Sequence, residues 1–311
     1  MLSTHNLLTI DNLSKGDIES ILTTAQSFEE INKRSIKKLP TLRGRTIINL
    51  FLEPSTRTRT SFEIAAKRLG ADAINMTGSA SSTVKGESLQ DTAQTLNAMA
   101  CDLLVIRHKF GGAPRILAQN MDSHIVNGGD GIHQHPTQTL LDLYTMRKLV
   151  GDIKGKTIGI VGDIVHSRVA GSLAPALNAL GAEVIFIAPP TYLPSRPELL
   201  GASVNTSLDA CIQDLDILYL LRIQKERADG SSIPSAREYS MLYGIDEKRA
   251  QKLSKNAFIM HPGPINRGVE IAGEVVSDPR VKILDQVSAG VAVRMAIMYL
   301  MLGGEESGIT A

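Results

Sequence analysis

The sequence predicts an α/β fold with two doubly wound domains, each a parallel sheet flanked by helices. Two observations support this prediction. Short apolar runs recur along the chain, and a turn and an amphipathic stretch with helical spacing follow most of them. A polar break at residues 151–156 separates two such series. Because parallel strands need helices on both faces to bury them, each series is expected to fold as its own layered domain.

The first series follows an N-terminal helix. Ser14 can cap this helix together with Asp17, and the apolar residues from Ile18 to Phe28 repeat with helical spacing. Strands are expected at residues 46–52, 72–76, 103–107 and 124–127, with helices starting near Thr58, Glu87, Gly112 and Pro136.

The second series repeats this alternation of strand and helix. Four prolines within residues 188–197 indicate a loop, and the polar residues 222–234 form a candidate mobile substrate loop. Strands are expected at residues 157–161, 183–188, 217–221 and 257–260.

The apolar stretch 290–302 near the C-terminus is interrupted by Arg294. We expect it to form a buried helix that returns to the first domain. The expected domains are therefore residues 1–134 plus 290–311, and residues 135–289.

The composition excludes several classes of partner. Lys and Arg number 33 against 32 Asp and Glu, so the chain lacks the charge excess of proteins that bind nucleic acid or membranes non-specifically. The start of the chain has no signal-peptide pattern, and no stretch reaches the roughly 18 apolar residues of a membrane span. Cys101 and Cys211 lie far apart, which argues against a disulfide framework. We expect a cytoplasmic protein that binds small molecules.

Basic side chains collect where the expected strands end. In open α/β sheets the ligand crevice lies outside the carboxyl ends of the strands. Nearly every segment that follows a strand carries an Arg or a His; these segments are FLEPSTRTR at 51–59, IRH at 106–108, NGGDGIHQHPTQ at 127–138, GDIVHSR at 162–168, LLRIQKER at 220–227 and MHPGPINRG at 260–268.

The first of these segments runs directly into a helix. A helix that starts within Ser55-Thr56-Arg57-Thr58-Arg59 presents free backbone N–H groups, hydroxyls and a guanidinium to one point, which suits a phosphate. The alternative is a helix capped by Ser55 or Thr56 with two solvated arginines. For this segment alone, both interpretations stay open.

His135 immediately precedes Pro136, a residue favoured at the first helical position. The positive end of the helix dipole disfavours protonation, so the imidazole is expected to act as a neutral hydrogen-bond donor. The spacing of His133 and His135 suits a metal, but no cysteine or second histidine cluster completes a ligand set. We expect no metal site.

Two patterns in the second series suggest nucleotide binding or a hydrolase nucleophile, but both are incomplete. Gly159-x-x-Gly162 lacks the third glycine of a dinucleotide fingerprint, and no nucleophile elbow surrounds Ser167, which we expect to cap a helix. Arg168 and Arg222 each follow a strand end and can each bind a carboxylate through two hydrogen bonds. Two such arginines facing one crevice would suit a dicarboxylate.

Taken together, these segments resemble the catalytic chains of the aspartate carbamoyltransferase family over essentially the whole sequence. FLEPSTRTRTSFE resembles the carbamoyl-phosphate motif shared by all carbamoyltransferases, and GDGIHQHPTQTLLDL is similar to their second motif. STVKGES, RIQKER and HPGPINRG resemble the branch that uses aspartate. The resemblance implies transfer of a carbamoyl group from carbamoyl phosphate to L-aspartate, without a cofactor and without a covalent enzyme intermediate.

The resemblance also implies a role for individual residues. The phosphate would be bound by Ser55, Thr56, Arg57 and Thr58. The carbamoyl oxygen would face Thr58, Arg107 and His135, and the carbamoyl nitrogen would face Gln138. The carboxylates of aspartate would be bound by Arg168, Arg222 and Gln224, with the backbone of Gly263 and Pro264 near the reacting amine. Glu53 and Arg227 resemble structural partners that order the site.

Ser81 and Lys85 match a loop that, in this family, reaches into the active site of a neighbouring subunit. Ser82 is an alternative to Ser81, because the run of serines leaves the alignment uncertain by one position. The resemblance therefore implies a homotrimer. A larger assembly with regulatory chains or dihydroorotase-like subunits stays open.

Two rival functions share much of this pattern. Ornithine carbamoyltransferases have the first two motifs, but Pro262 stands where that branch carries a Cys, and Ser240-Met241 falls in an expected helix and not after a strand. A non-catalytic scaffold subunit of the same fold would have no reason to keep every charged member of the site. One departure from the aspartate branch is Gly263, where a leucine can stand; this position is expected to act through its backbone.

Overall fold

The computed structural model describes residues 1–78, 87–223 and 235–303. The chain forms two compact units. The first comprises Met1–Tyr144 and Val287–Ala311, and the second comprises Thr145–Gln286.

The first unit is built on a four-stranded parallel sheet in the order β2-β1-β3-β4. Its strands are β1 (Thr46–Phe51), β2 (Asp72–Thr77), β3 (Leu103–His108) and β4 (His124–Asp130). The helices that begin in this part of the chain are α1 (Lys15–Lys33), α2 (Thr56–Arg68), α3 (Leu89–Ala98), α4 (Ala113–Ala118) and α5 (Pro136–Val150). The predicted strands and helix starts agree with these bounds to within a few residues.

Helix α1 shows how directly the local sequence determines an element. The Ser14 side chain accepts a hydrogen bond from the Asp17 backbone N–H, and the Asp17 side chain accepts one from the Ser14 backbone N–H. This reciprocal capping box confirms the predicted start of the helix. Although burial raises the pKa of Asp17, hydrogen bonds from Ser14 and Ser3 outweigh it and lower the pKa to about 2.

The second unit contains a five-stranded parallel sheet in the order β7-β6-β5-β8-β9. Its strands are β5 (Thr157–Val161), β6 (Glu183–Ile187), β7 (Ala202–Asn205), β8 (Ile217–Leu220) and β9 (Phe258–Met260). Its helices are α6 (Arg168–Ala179), α7 (Ala236–Tyr243) and α8 (Glu247–Lys252). The sequence did not predict β7, because this short edge strand exposes Ser203 and Val204 and has no apolar run.

The last described helix is α9 (Ile283–Leu302), and from Val287 onward it belongs to the first unit, as the sequence predicts. Ala292, Val293 and Ile297 are fully buried, and the Arg294 guanidinium lies over the Phe62 ring of α2. By length and composition alone, α9 is apolar enough to cross a membrane, but 61% of its most apolar window is buried inside the protein. A buried core helix of this kind passes the same test.

The two units divide inside helices. One division falls at Tyr144 in α5, ten residues after the expected boundary at 134/135, and the other falls at Val287 in α9, three residues before the expected 289/290. The first turns of α5 belong with the first unit, where the Tyr144 hydroxyl donates a hydrogen bond to Glu29. His135 therefore lies in the first unit.

Candidate functional site

In each unit the strand order reverses at one place on the sheet. This switch point lies between β1 and β3 in the first sheet and between β5 and β8 in the second, where consecutive connections run to opposite sides. A crevice forms outside the carboxyl ends of the two strands at such a point, because the loops that follow these strands run in opposite directions. The candidate residues group at these two edges.

Arg107 lies near the carboxyl end of β3, directly opposite Phe51 of β1. Its backbone oxygen accepts hydrogen bonds from the Leu52 N–H (2.9 Å) and the Glu53 N–H (3.3 Å), so the loop that follows β1 is fastened to β3. Its guanidinium donates to Glu53 Oε1 at 2.9 Å and to the Gly128 oxygen at 3.2 Å. Glu53 therefore helps to hold the Arg107 guanidinium in place.

The segment after β1 leads into the start of α2. Ser55 occupies the N-cap position, but its side chain makes no cap hydrogen bond. Thr58 is buried, whereas Thr56 and Arg57 are exposed. The first N–H groups of a helix have no partner within the helix, so the start of α2 offers donors and a guanidinium to an anion.

One interpretation of the sequence was that Ser55 or Thr56 is an ordinary side-chain cap. For Ser55 the structure does not support it. Helix α2 itself is held by its buried face, which includes Phe62, Ala65 and Ala66. The helix thus begins without a capping hydrogen bond from the Ser55 side chain.

His135 is placed by a loop that Asp130 organises. Asp130 is buried at the end of β4, and its carboxylate accepts hydrogen bonds from the Gly112 and Gln134 backbone N–H groups and from the Asn127 side chain. Its second oxygen also lies 3.1 Å from His133 Nδ1. The sequence pattern of residues 127–138 gives no sign of this role for Asp130.

A glycine makes the same loop possible. Gly131 has a φ of +49°, and a Cβ there would lie 2.7 Å from the Gly111 nitrogen. Any side chain would push the loop away from β3 and its following turn. His135 then ends the loop in a buried position, directly before Pro136 at the start of α5.

Gln138 lies in the first turn of α5. Its Nε2 donates a hydrogen bond of 3.0 Å to Asp142 Oδ1 one turn later, and both side chains are buried. The first unit thus brings Arg107, His135 and the start of α2 to the carboxyl edge of one sheet. Gln138 lies one turn beyond His135.

The second unit places two arginines at its own switch point. Arg168 is the buried first residue of α6, and the Ser167 side chain accepts a hydrogen bond from the Ala170 N–H, which confirms Ser167 as a cap. Arg222 follows β8, the neighbour of β5. Directly after β5, Gly162 has a φ of +131°, and a Cβ there would lie 3.0 Å from the Leu221 oxygen.

Glu270 connects the segment of Arg222 to the loop that follows β9. One of its oxygens accepts hydrogen bonds from the Ile223 N–H (2.9 Å) and the Asn266 side chain (2.8 Å), and the other accepts from the Asn266 N–H (2.6 Å). Burial raises the pKa of Glu270, and these hydrogen bonds oppose that effect. Gly263 and Pro264 lie in the same loop, where the Gly263 N–H donates to His261 Nδ1.

Asp163 is a second buried carboxylate at the switch point of the second sheet. It follows Gly162, and its Oδ1 accepts hydrogen bonds from the His166 N–H at 3.2 Å and from His166 Nδ1 at 2.8 Å. This contact closes the turn that ends at Arg168. The sequence signal for Asp163, Glu270 and Asp130 is weak, because buried and solvated carboxylates look alike in a sequence.

Ser81, Ser82, Lys85, Gln224 and Arg227 lie outside the described residues. Across residues 1–78, 87–223 and 235–303, no group of three or more His, Cys, Asp or Glu side chains could hold a metal ion. Cys101 and Cys211 are both buried and free, and burial raises the pKa of each thiol.

Two family models match the chain in succession. The carbamoyl-phosphate-binding domain of the aspartate/ornithine carbamoyltransferases matches residues 5–148, and the aspartate/ornithine-binding domain matches residues 154–301. The chain belongs to the aspartate/ornithine carbamoyltransferase family.

Within this family, relatives named aspartate carbamoyltransferase catalytic subunit share about half of their aligned residues with this chain. The protein of Syntrophotalea carbinolica is 53% identical over 97% of this chain and 96% of its own length. That of Acidothermus cellulolyticus is 52% identical over 98% and 94%.

Solved carbamoyltransferase structures have the same fold. Aspartate transcarbamoylase from Trypanosoma cruzi, in complex with carbamoyl phosphate and aspartate, superposes with a TM-score of 0.85 at 30% identity, covering 94% of this chain and 95% of that one. The catalytic subunit of the M. jannaschii aspartate transcarbamoylase gives a TM-score of 0.84 at 38% identity, covering 96% and 98%. Each match therefore includes residues of both units.

Proposed function

We propose that this chain transfers the carbamoyl group of carbamoyl phosphate to the amino group of L-aspartate. The products are N-carbamoyl-L-aspartate and phosphate. This reaction is an early step of pyrimidine synthesis in the cytoplasm. One observation carries the proposal: each sheet has cationic side chains at its own switch point, Arg107 and the start of α2 in the first unit and Arg168 with Arg222 in the second. The names of the half-identical relatives support the same activity.

The first unit suits an acyl phosphate. The phosphate would lie at the start of α2, where Ser55, Thr56, Arg57 and Thr58 supply backbone N–H groups, hydroxyls and a guanidinium. Ser55 is available because its side chain makes no cap hydrogen bond.

The carbonyl of the same substrate would face Arg107, His135 and Thr58. When the uncharged amine of aspartate attacks the carbonyl carbon, negative charge develops on the carbonyl oxygen, and donors already in place stabilise it. The C–O bond to phosphate then breaks, and the departing phosphate can accept the proton that the amine loses. Arg107 is preorganised for this role by its hydrogen bonds to Glu53 and Gly128.

The second unit suits a dicarboxylate. Each of Arg168 and Arg222 can bind a carboxylate through two hydrogen bonds, and Gln224, with the backbone of Gly263 and Pro264, completes the proposed aspartate site. Ornithine carries an ammonium group in its side chain, which a second guanidinium would repel. Ser240 and Met241 lie inside helix α7, as predicted, and so do not follow a strand in the way expected of the ornithine branch.

A product assay with two acceptors tests the proposed function. The chain is supplied with carbamoyl phosphate and either L-aspartate or L-ornithine, and phosphate release and the carbamoylated amino acid are both measured. We expect N-carbamoyl-L-aspartate to form with one phosphate per product and no turnover of ornithine. Citrulline as the main product would make this an ornithine carbamoyltransferase, and substrate binding without turnover would make it a scaffold subunit.

We also propose a homotrimer as the active form. The basis is the resemblance of the segment that contains Ser81 and Lys85 to a family loop that completes the site of a neighbouring subunit. Such a chain is inactive alone, because the lysine that its own site needs comes from another copy. Regulatory chains or dihydroorotase-like subunits could join such trimers in a larger assembly.

A further inference from the structure

The side chain of Gln138 contacts a buried carboxylate, that of Asp142. Asp142 has no exposed surface and accepts the hydrogen bond of Gln138 Nε2 at 3.0 Å. An ionised carboxylate can only accept hydrogen bonds, whereas a primary amide donates through its NH₂ group and accepts through its carbonyl oxygen. Asp142 therefore fixes which way the Gln138 amide points: the NH₂ group turns toward Asp142, and the carbonyl oxygen turns away from it.

A buried guanidinium stands in the same region. Arg294 of α9 is 3% exposed, lies 4.9 Å from the centre of the Phe62 ring, and donates to the Gly290 oxygen at 3.1 Å. Burial lowers the pKa of Arg294 to about 10, and the negative charge of Asp142 opposes this lowering. Arg294 thus stays charged at neutral pH and offsets the cost of burying the Asp142 carboxylate.

The chain makes room for this guanidinium. Gly290 lies within helix α9, where glycine is unfavourable compared with alanine. A Cβ at Gly290 would lie 2.5 Å from Arg294 Nη1 and 3.4 Å from Leu141 Cδ2. Glycine at this position therefore leaves space for the Arg294 guanidinium where it lies, because a larger residue would force the end of the Arg294 side chain to move.

We propose that Asp142, supported by Arg294, holds the Gln138 amide with its oxygen toward the acyl group of the phosphate donor, and so selects a donor that carries N–H groups. This inference rests on the proposed function, in which Gln138 faces the carbamoyl nitrogen. The carbamoyl NH₂ can donate to the fixed oxygen. The methyl group of acetyl phosphate, which has nearly the same shape, cannot donate and would leave that oxygen without its partner. Asp142 and Arg294 are positioning residues, since neither touches the substrate itself.

Replacement of Asp142 by asparagine tests the proposal. An asparagine amide can donate to Gln138 as well as accept, so the Gln138 amide is no longer held in one orientation. In the whole chain, the dissociation constants of carbamoyl phosphate, acetyl phosphate and inorganic phosphate are measured by calorimetry without aspartate. We expect the wild type to prefer carbamoyl phosphate over acetyl phosphate by about tenfold, and Asp142→Asn to lose most of that preference while it binds inorganic phosphate normally.

Asp72→Asn is the matched control, because this exposed carboxylate lies on β2 in the same unit, and it should keep the wild-type preference. Gln138→Met provides a second test that leaves Asp142 and Arg294 in place if Asp142→Asn does not fold. It should lose the preference as well, because its thioether cannot accept the N–H in the same way.

Three results would overturn the proposal. The first is a wild-type preference that persists in Asp142→Asn or in Gln138→Met, and the second is an equal loss of affinity for all three ligands in Asp142→Asn. The third is a wild type that binds both acyl phosphates equally well. A wild type that binds neither acyl phosphate but binds inorganic phosphate would instead contradict the proposed function.

Discussion

Replacing Arg107 or His135 by alanine lowers kcat by about 10²- to 10³-fold, because each change deletes a donor aimed at the oxygen on which charge develops. The effect should fall on kcat more than on substrate affinity, since these hydrogen bonds strengthen as the transition state forms. Steady-state kinetics with both substrates near saturation, together with circular dichroism to check the fold, measures this.

Two matched variants control for the loss of an arginine or a histidine elsewhere in the same unit. Arg45 precedes β1 and pairs with Asp102 at 2.7 Å, and His124 is the first residue of β4, so both lie at the amino edge of the sheet that carries Arg107 at its carboxyl edge. Arg45→Ala and His124→Ala should keep near-normal kcat. A folded Arg107→Ala or His135→Ala variant with near-normal turnover would remove that residue from the proposed role.

Lys85→Ala abolishes activity, and mixing it with a second inactive variant restores part of it. The segment 78–86 is rich in Ser, Gly and Thr, and Val84 is its only large apolar residue, so the sequence predicts a loop that reaches outward. In a ring with heterologous interfaces, each site takes its loop from one side only. Lys85→Ala chains keep the main site, and Arg57→Ala chains keep the loop.

If the chain forms the proposed homotrimer, a mixed trimer of these two variants contains one junction at which an intact main site meets an intact loop. Co-refolded mixtures should therefore regain roughly a third of native activity per mixed trimer, whereas each variant refolded alone stays inactive. The simpler alternative is a solvated loop lysine, for which Lys85→Ala alone would remain active. An inactive Lys85→Ala chain whose mixtures recover nothing would mean that Lys85 acts within its own chain.

Elements with a periodic pattern were predictable from the sequence. The capping box of α1, the strands of both sheets except β7, and the cap at Ser167 each have a local signal that the structure confirms. Strand β7 was missed because it lies at the edge, is only four residues long and exposes two of its side chains. A pattern that depends on burial disappears where a strand is barely buried.

The residues that support the site were harder to predict than the residues that bind the substrates. Arg107, His135 and Arg168 follow strands, and the rule of the carboxyl edge predicts where they lie. Asp130, Asp142 and Glu270 act through hydrogen bonds to loops and side chains that only the folded chain brings near them. Nothing in the spacing of these carboxylates distinguishes them from solvated ones.

Binding of the two substrates to Arg57→Ala and Arg222→Ala tests most directly whether the two sheets bind different substrates. The affinity for carbamoyl phosphate is measured by calorimetry, and the KM for aspartate is measured in the product assay. We predict that Arg57→Ala weakens carbamoyl phosphate, whereas Arg222→Ala raises the KM for aspartate by about 10- to 100-fold and leaves carbamoyl phosphate nearly unchanged, because only aspartate supplies the carboxylate that Arg222 binds. If Arg222→Ala weakened carbamoyl phosphate as much as Arg57→Ala does, the assignment of one substrate to each sheet would be wrong.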